Sequence, residues 1–314
     1  MNKITIIGTG SVGATIGYTM MIMGLASEIV LIDINQEKAL GEALDIRQGV
    51  PFCHPTNIYA GTYTDAKNSN IVIITSGMAR KANQSRLELA QANVDILKSV
   101  ADQVVKYAPD AVYVIVSNPV DVLTYVFCKY TGLPEQRVIG SGTILDTSRL
   151  RSRIAEYFSV NQKNVHAYVL GEHGDTAFVP WSTANISNVL VEDYQRVTLH
   201  SNPAKLSFNK EDVEEYVRKS GARIISRKGA TFYAVSASVS HLCKCILSGM
   251  DTALTVSTML HGEYGIHDVC LSLINILGNN GVIEKVMLPL NDDEIYKLHK
   301  SADSLKNVIR NIKI

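Results

Sequence analysis

The chain has 314 residues, enough for two lobes that each bury a sizeable core. Its 30 basic and 30 acidic side chains balance, which removes any net field for nucleic acid or an anionic membrane. No apolar run reaches the roughly eighteen residues of a membrane span, and Met1-Asn2-Lys3 leads straight into a strand pattern, so a cytoplasmic location is expected. Five cysteines (Cys53, Cys128, Cys243, Cys245 and Cys270) are odd in number and lie mostly in apolar stretches, as reduced core thiols do. Cys243 and Cys245 stand two apart in a helical pattern and face different directions, so no metal site is expected.

The N-terminal stretch sets the pattern for the first half of the chain. Ile4-Thr5-Ile6-Ile7 reads as a buried strand, Gly8-Thr9-Gly10-Ser11-Val12-Gly13 as a tight turn with G-x-G-x-x-G spacing, and the Ala- and Met-rich segment after it as a helix. At such a turn Gly10 lets backbone N–H groups approach a pyrophosphate at the positive end of the helix dipole, and Gly13 lets helix and strand pack closely. A second apolar run, Ile29-Val30-Leu31-Ile32, ends in Asp33. A carboxylate there accepts from a ribose 2′-hydroxyl and repels a 2′-phosphate, so NAD is expected rather than NADP.

The same rhythm continues. Ile71-Val72-Ile73-Ile74 runs into Thr75-Ser76-Gly77, an amphipathic stretch occupies 87–107, and the apolar run 111–116 ends in Ser117-Asn118-Pro119. Buried parallel strands with crossover helices give this pattern, so the expected fold is α/β, a doubly wound parallel sheet of the Rossmann type. Gly8, Asp33, Gly77 and Asn118 all fall at the carboxyl ends of strands, where such sheets bind ligands, which implies one crevice. Past Val138-Ile139-Gly140-Ser141-Gly142 the texture changes to helical patterns at 146–158, 211–227, 231–247 and 292–312. The expected division is a dinucleotide-binding domain at 1–142 and a mixed α+β catalytic domain at 143–314. In the second half Gly171-Glu172-His173-Gly174-Asp175 sets a histidine between glycines after the apolar run 167–170, a placement that exposes an imidazole able to exchange a proton near neutral pH.

Taken with Ile139-Gly140-Ser141-Gly142-Thr143-Ile144-Leu145-Asp146-Thr147-Ser148-Arg149, Ser117-Asn118-Pro119-Val120-Asp121, Gly171 to Thr176 and Lys228-Gly229-Ala230-Thr231, the chain resembles the lactate/malate dehydrogenase family. The resemblance runs nearly end to end and is strongest to the bacterial lactate enzymes. It implies an NAD-dependent L-2-hydroxyacid dehydrogenase that reduces pyruvate to L-lactate in fermentative glycolysis. By position it implies His173 as general acid and base, Asp146 as the carboxylate that orients it, and Arg149 as the bidentate clamp on the substrate carboxylate. Arg86, at the end of a loop that the family closes over its substrate, would polarise the carbonyl, with Asn118 bonding the substrate oxygen. For the cofactor it adds Val12, Lys38, Tyr63, Gly77, Met78, Ser99, Val116, Ser117, Asn118 and Ser141 to Gly8, Gly10, Gly13 and Asp33. A homotetramer is implied, as is an allosteric fructose 1,6-bisphosphate site at Arg151 and His166.

One position reads differently. Six residues before Arg86, where lactate enzymes commonly carry glutamine and malate enzymes arginine, stands Arg80, which by itself points to a dicarboxylate. Thr231, Trp181-Ser182 and Leu254-Thr255-Val256-Ser257 point to lactate, as do Arg151 and His166, and Ala82-Asn83 replaces the usual Pro-Gly of the loop. Pyruvate is the expected substrate, with oxaloacetate and malate as the alternative. A binding protein that senses NAD without turnover would need the glycine turn but not His173, Asp146, Arg149 and Arg86 together.

Overall fold

The Ile- and Val-rich runs of the first half are too apolar to leave either face in water, and helices cover both. The computed structural model describes residues 2–78, 85–197 and 208–314. Its elements alternate at first: β1 (Lys3–Ile7), α1 (Ser11–Met23), β2 (Glu28–Ile32), α2 (Gln36–Gly49), β3 (Asn57–Ala60), β4 (Ile71–Ile74), α3 (Arg86–Val104), β5 (Val112–Ile115), α4 (Val120–Thr131) and β6 (Val138–Gly140). Next come α5 (Ile144–Phe158), three short strands β7 (Val165–His166), β8 (Asn185–Ile186) and β9 (Val189–Leu190), then α6 (Tyr194–Val197), α7 (Lys210–Lys228) and α8 (Tyr233–Ser248). A run of long strands, β10 (Thr252–His261), β11 (His267–Gly278) and β12 (Gly281–Val286), leads to α9 (Asp292–Arg310).

Strands β1 to β6 pair in parallel in the order β3-β2-β1-β4-β5-β6. The chain winds outward from β1 to β3 and returns to β4 on the other side of β1, so a crevice opens between β1 and β4 at their carboxyl ends. On one face Ile16, Met20, Ile46, Leu242 and Ile246 pack over Ile6, Leu31 and Ile73. On the other, Val94, Leu97, Phe127, Leu298 and Leu305 pack over Val72, Tyr113 and Ile115. A third cluster, around Leu150, Ile154, Trp181 and Val217, joins α5 to α7 beyond the sheet.

The parallel sheet expected from the sequence is therefore present, and it is larger than expected. β10 joins the edge of β6 in antiparallel fashion at Ser257 and Gly140, and β11 and β12 extend the sheet to nine strands. This corrects the expectation that helical patterns dominate the second half. The strands escape notice because Val269-Cys270-Leu271-Ser272-Leu273 is buried without a break, which erases the alternation that marks a half-exposed strand. The apolar run 167–170 forms no ladder either; Leu170 and Gly171 make isolated bridges to Phe178 and Ser272. Of the five thiols, four are buried and Cys53 is exposed, all free. Among the described residues no helix is long and apolar enough to cross a membrane.

The first turn shows why its glycines are where they are. Gly8 has φ +98°, and a Cβ on Gly13 would lie 1.9 Å from the Gly8 carbonyl oxygen. Helix α1 thus sits on β1 with no room for a methyl group. Gly13→Ala is expected to cost about 2–3 kcal/mol by overpacking, measured by urea unfolding, and a loss below about 0.5 kcal/mol would contradict this contact.

Candidate active site

The crevice begins at α1. Gly10 is its N-cap, no side chain caps the helix, and a Cβ on Gly10 would meet nothing within 4 Å. The first-turn N–H groups therefore face open space, as an anion requires. At the end of β2, Asp33 accepts from the Thr9 N–H at 2.6 Å and the Thr9 hydroxyl at 3.0 Å through Oδ2, and from the Asn35 N–H at 2.9 Å through Oδ1. Partial burial pushes this carboxyl up, but those donors, with Lys38, outweigh it and hold Asp33 below its ordinary value. It is ionised at neutral pH. Tyr63 is half-buried beside it, and burial together with the Asp33 charge pushes the phenol up.

The other walls come from the next strand ends. The Ser117 hydroxyl donates to the Ser76 carbonyl at 2.6 Å, Val116 N–H to Ile74 at 2.9 Å and Ser141 N–H to Ile115 at 2.8 Å. The Val12 carbonyl accepts from the Ser236 hydroxyl of α8 at 3.3 Å. Asn93, buried on α3, ties the far side together: its Nδ2 donates to the carbonyls of Asn118 (2.7 Å) and Met78 (3.3 Å), and its Oδ1 accepts from the Met78 N–H at 2.7 Å. A Cβ on Gly77 would stand 3.3 Å from that Oδ1, so Gly77 belongs to the same clamp. The uncapped helix, the ionised Asp33 and the buried, unpartnered Ser76 hydroxyl fit a dinucleotide with a free ribose diol.

Beyond this crevice lies a charged centre. Asp146 and Arg149 stand one turn apart on α5 and so share a face. Asp146, with 7% of its side chain exposed, uses both oxygens: Oδ2 is 2.6 Å from His173 Nδ1 and Oδ1 accepts from Arg149 Nη1 at 2.9 Å. Burial pushes the Asp146 carboxyl up, but the two cations prevail and its value falls below the ordinary one. The Asp146 charge in turn raises His173 to about 9, against the opposing effect of burial. At neutral pH the imidazole is thus an imidazolium, its Nδ1–H given to Asp146 and its Nε2–H free for a ligand. The His173 main chain is also held, since its N–H donates at 2.8 Å to Asp121 at the start of α4. Burial pushes the Asp121 carboxyl up to about 6.

Arg86, the first residue of α3, pairs with Asp175 at 2.7 Å, so it stands beside the His173 loop, although both side chains are about three-quarters exposed (74% and 73%). Ser85 caps α3 in a reciprocal pair with Glu88. Thr231 lies half-buried between α7 and α8, and Gly221 of α7 faces Arg149 Nη2. Other expected residues stay apart from this centre. Ser99 is exposed on α3, six residues past Asn93, or about 9 Å further along the helix. Arg151 donates from Nε to the Ala167 carbonyl at 3.0 Å and stacks on Tyr168, while His166 is exposed on β7. Arg80 lies outside the described residues. Asn93, Asp121 and Asp175 hold residues of the site, a part that the sequence patterns did not assign to them. Asn93 is a lone amide among the apolar positions Ala90, Val94 and Leu97, and Asp121 an acid entering an apolar helix, and each of these is a visible anomaly.

Comparison with known proteins covers nearly the whole chain. Residues 2–140 match the family described as lactate/malate dehydrogenase, NAD binding domain, and residues 143–313 its alpha/beta C-terminal domain. The L-lactate dehydrogenase of Acetivibrio thermocellus is 45% identical over 314 residues, covering 100% of this chain and 98% of that protein. That of Thermoanaerobacterium saccharolyticum is 44% identical and covers both chains fully (100% and 100%). Among solved structures, the minor L-lactate dehydrogenase from Enterococcus mundtii superposes with a TM-score of 0.94 at 37% identity, covering 100% of this chain and 99% of that one. MGS-M5, a lactate dehydrogenase from a Medee basin deep-sea metagenome library, gives 0.94 at 37% identity over 99% and 98%.

The Asp146–His173 pair makes stability depend on pH in a defined sense. His173 is raised from 6.5 to about 9 on folding, so the contribution is complete below 6.5 and is lost as pH rises through 9. Against the parent, His173→Gln is expected to lose on the order of 2 kcal/mol at pH 6, with most of the difference gone by about pH 10. Urea unfolding at both values tests this, and a gap that does not change with pH would contradict it.

Proposed function

The chain belongs to the lactate/malate dehydrogenase family, and from that premise we propose that it interconverts pyruvate and L-lactate, with NAD carrying the hydride. The observation that carries the reading is the trio His173, Asp146 and Arg149, in a chain whose full-length relatives are L-lactate dehydrogenases. In this reading residues 1–142 bind the cofactor and 143–314 supply the substrate site. The cofactor, when bound there as NADH, would supply the hydride for the substrate carbonyl carbon. Asp33 would hold the adenosine ribose, the open N-terminus of α1 the pyrophosphate, and the ends of β4, β5 and β6 the nicotinamide half.

The protein's own part is to orient the acid and to place the proton. Arg149 has one Nη1–H committed to Asp146, which leaves its other guanidinium donors for the substrate carboxylate. The Nε2–H of His173 moves to the carbonyl oxygen as the alcohol forms, and in oxidation the neutral Nε2 takes the hydroxyl proton back. Asp146 stays ionised throughout and compensates the imidazolium charge. Arg86, released from Asp175, would bring its charge to the carbonyl oxygen, where exclusion of water strengthens it. We include in the proposal a homotetramer activated by fructose 1,6-bisphosphate near Arg151. For the activator, support comes from the cavity of about 400 Å³ that Arg151 lines with Lys163 and with no acid; His166, expected beside Arg151, does not line it.

Oxaloacetate, which Arg80 brought into question, is not favoured by relatives that are L-lactate dehydrogenases at 44–45% identity. NADH oxidation with each acid decides the matter: kcat/KM for pyruvate is expected to exceed that for oxaloacetate tenfold or more, and the reverse preference would overturn the assignment. Arg149→Lys keeps the charge but loses the planar fork, and should lower kcat/KM for pyruvate by roughly 30- to 100-fold, chiefly through KM.

A further inference from the structure

The loop that carries His173 is held from an unexpected direction. Ser301 lies midway along α9 and is fully buried. Several hydroxyls inside helices turn back on their own helix, as Ser220 does to the Tyr216 carbonyl and Thr124 to the Val120 carbonyl. Ser301 instead addresses the loop. Its Oγ accepts from the Glu172 N–H at 2.6 Å and lies 3.0 Å from Thr176 Oγ1, and the Thr176 hydroxyl bonds the Glu172 carboxylate.

Donor accounting gives these bonds a single direction. An ionised carboxylate only accepts, so the Thr176 proton goes to Glu172, and Thr176 can then only accept from Ser301. The result is a closed ring, from the Glu172 N–H to Ser301, from Ser301 to Thr176, and from Thr176 back to the Glu172 carboxylate. It clasps residues 172 and 176, which flank His173 on either side. Gly171 shows how close the approach is, since it has φ +89° and a Cβ there would lie 2.7 Å from Ser301 Oγ.

We propose that Ser301 is a positioning residue for His173: by closing this ring from α9 it fixes the loop so that the imidazole meets Asp146. The inference rests on the reading of His173 as the proton donor, and it acts through that residue without touching substrate or cofactor. Losing the ring frees the loop, lengthens the His173–Asp146 contact on average and lowers the population of the imidazolium.

Ser301→Ala and Thr176→Val each break the ring at a different hydroxyl. For both, kcat/KM for pyruvate should fall tenfold or more while the NADH dissociation constant, read by fluorescence, stays within twofold. An independent readout uses diethylpyrocarbonate, which attacks only neutral imidazole, with the His173 peptide followed by mass spectrometry against pH. The wild-type midpoint, expected at about 9, should fall by about one pH unit in each variant. This readout needs no turnover, so it judges Ser301 even if pyruvate proves not to be the substrate. The double variant should lose little more than either single one, because one ring is broken in both. A lower melting temperature with the midpoint and kcat/KM unchanged would mean that Ser301 is only structural, and would overturn the proposal. Should Ser301→Ala not fold, Thr176→Val decides by the same criteria.

Discussion

A buried carboxylate is costly to the fold unless its charge is matched, and Asp146 is matched twice. One oxygen takes the Arg149 guanidinium and the other takes His173. Neither cation would sit comfortably in that position without it. The three groups therefore form a unit in which the charge that stabilises the fold is also the charge that stores a proton near neutral pH. Most other features of the site can be read as means of bringing this unit to a cofactor crevice and keeping its geometry.

The sheet does the first of these tasks. Winding outward from β1 and returning on its other side leaves a crevice at the carboxyl ends of the strands, where Asp33, Ser117 and Ser141 already stand. Strand β10, joined to β6, brings the second half of the chain against that edge, and α5 comes directly after β6. Asp146 thus stands in the first turn of a helix only a few residues past the last parallel strand. The His173 loop is fastened by several elements at once: by the Gly171 bridge to β11, by Ser301 of α9, by Asp121 of α4 and by Asp146 of α5. A loop so held can place an imidazole to within the tolerance that proton transfer demands.

How much of the fold and site is legible in the sequence depends on whether the signal is local. The glycine turn, Asp33 and the parallel strands are patterns within a few residues, and the structure has them where the residues placed them. The coming together of His173, Asp146 and Arg149 is expected only through family resemblance, since no spacing rule links a helix at 146 to a loop at 173. Strands β10 and β11 are missed because burial on both faces leaves no period to detect. Asn93, Asp121 and Ser301 are missed for another reason. Each is a single polar side chain in an apolar helix face, and its partner lies 15, 52 or 129 residues away in the chain. What such a residue does is a property of the fold and not of its neighbours in sequence.

Asp146 keeps His173 protonated at neutral pH. Titration of the His173 Cε1 proton by NMR, in the wild type and in Asp146→Asn, tests it most directly. The expected midpoint is about 9 in the wild type, falling to about 6.5 or below once the carboxylate is replaced by a neutral amide. An imidazole that titrates at the same pH in both proteins would contradict it.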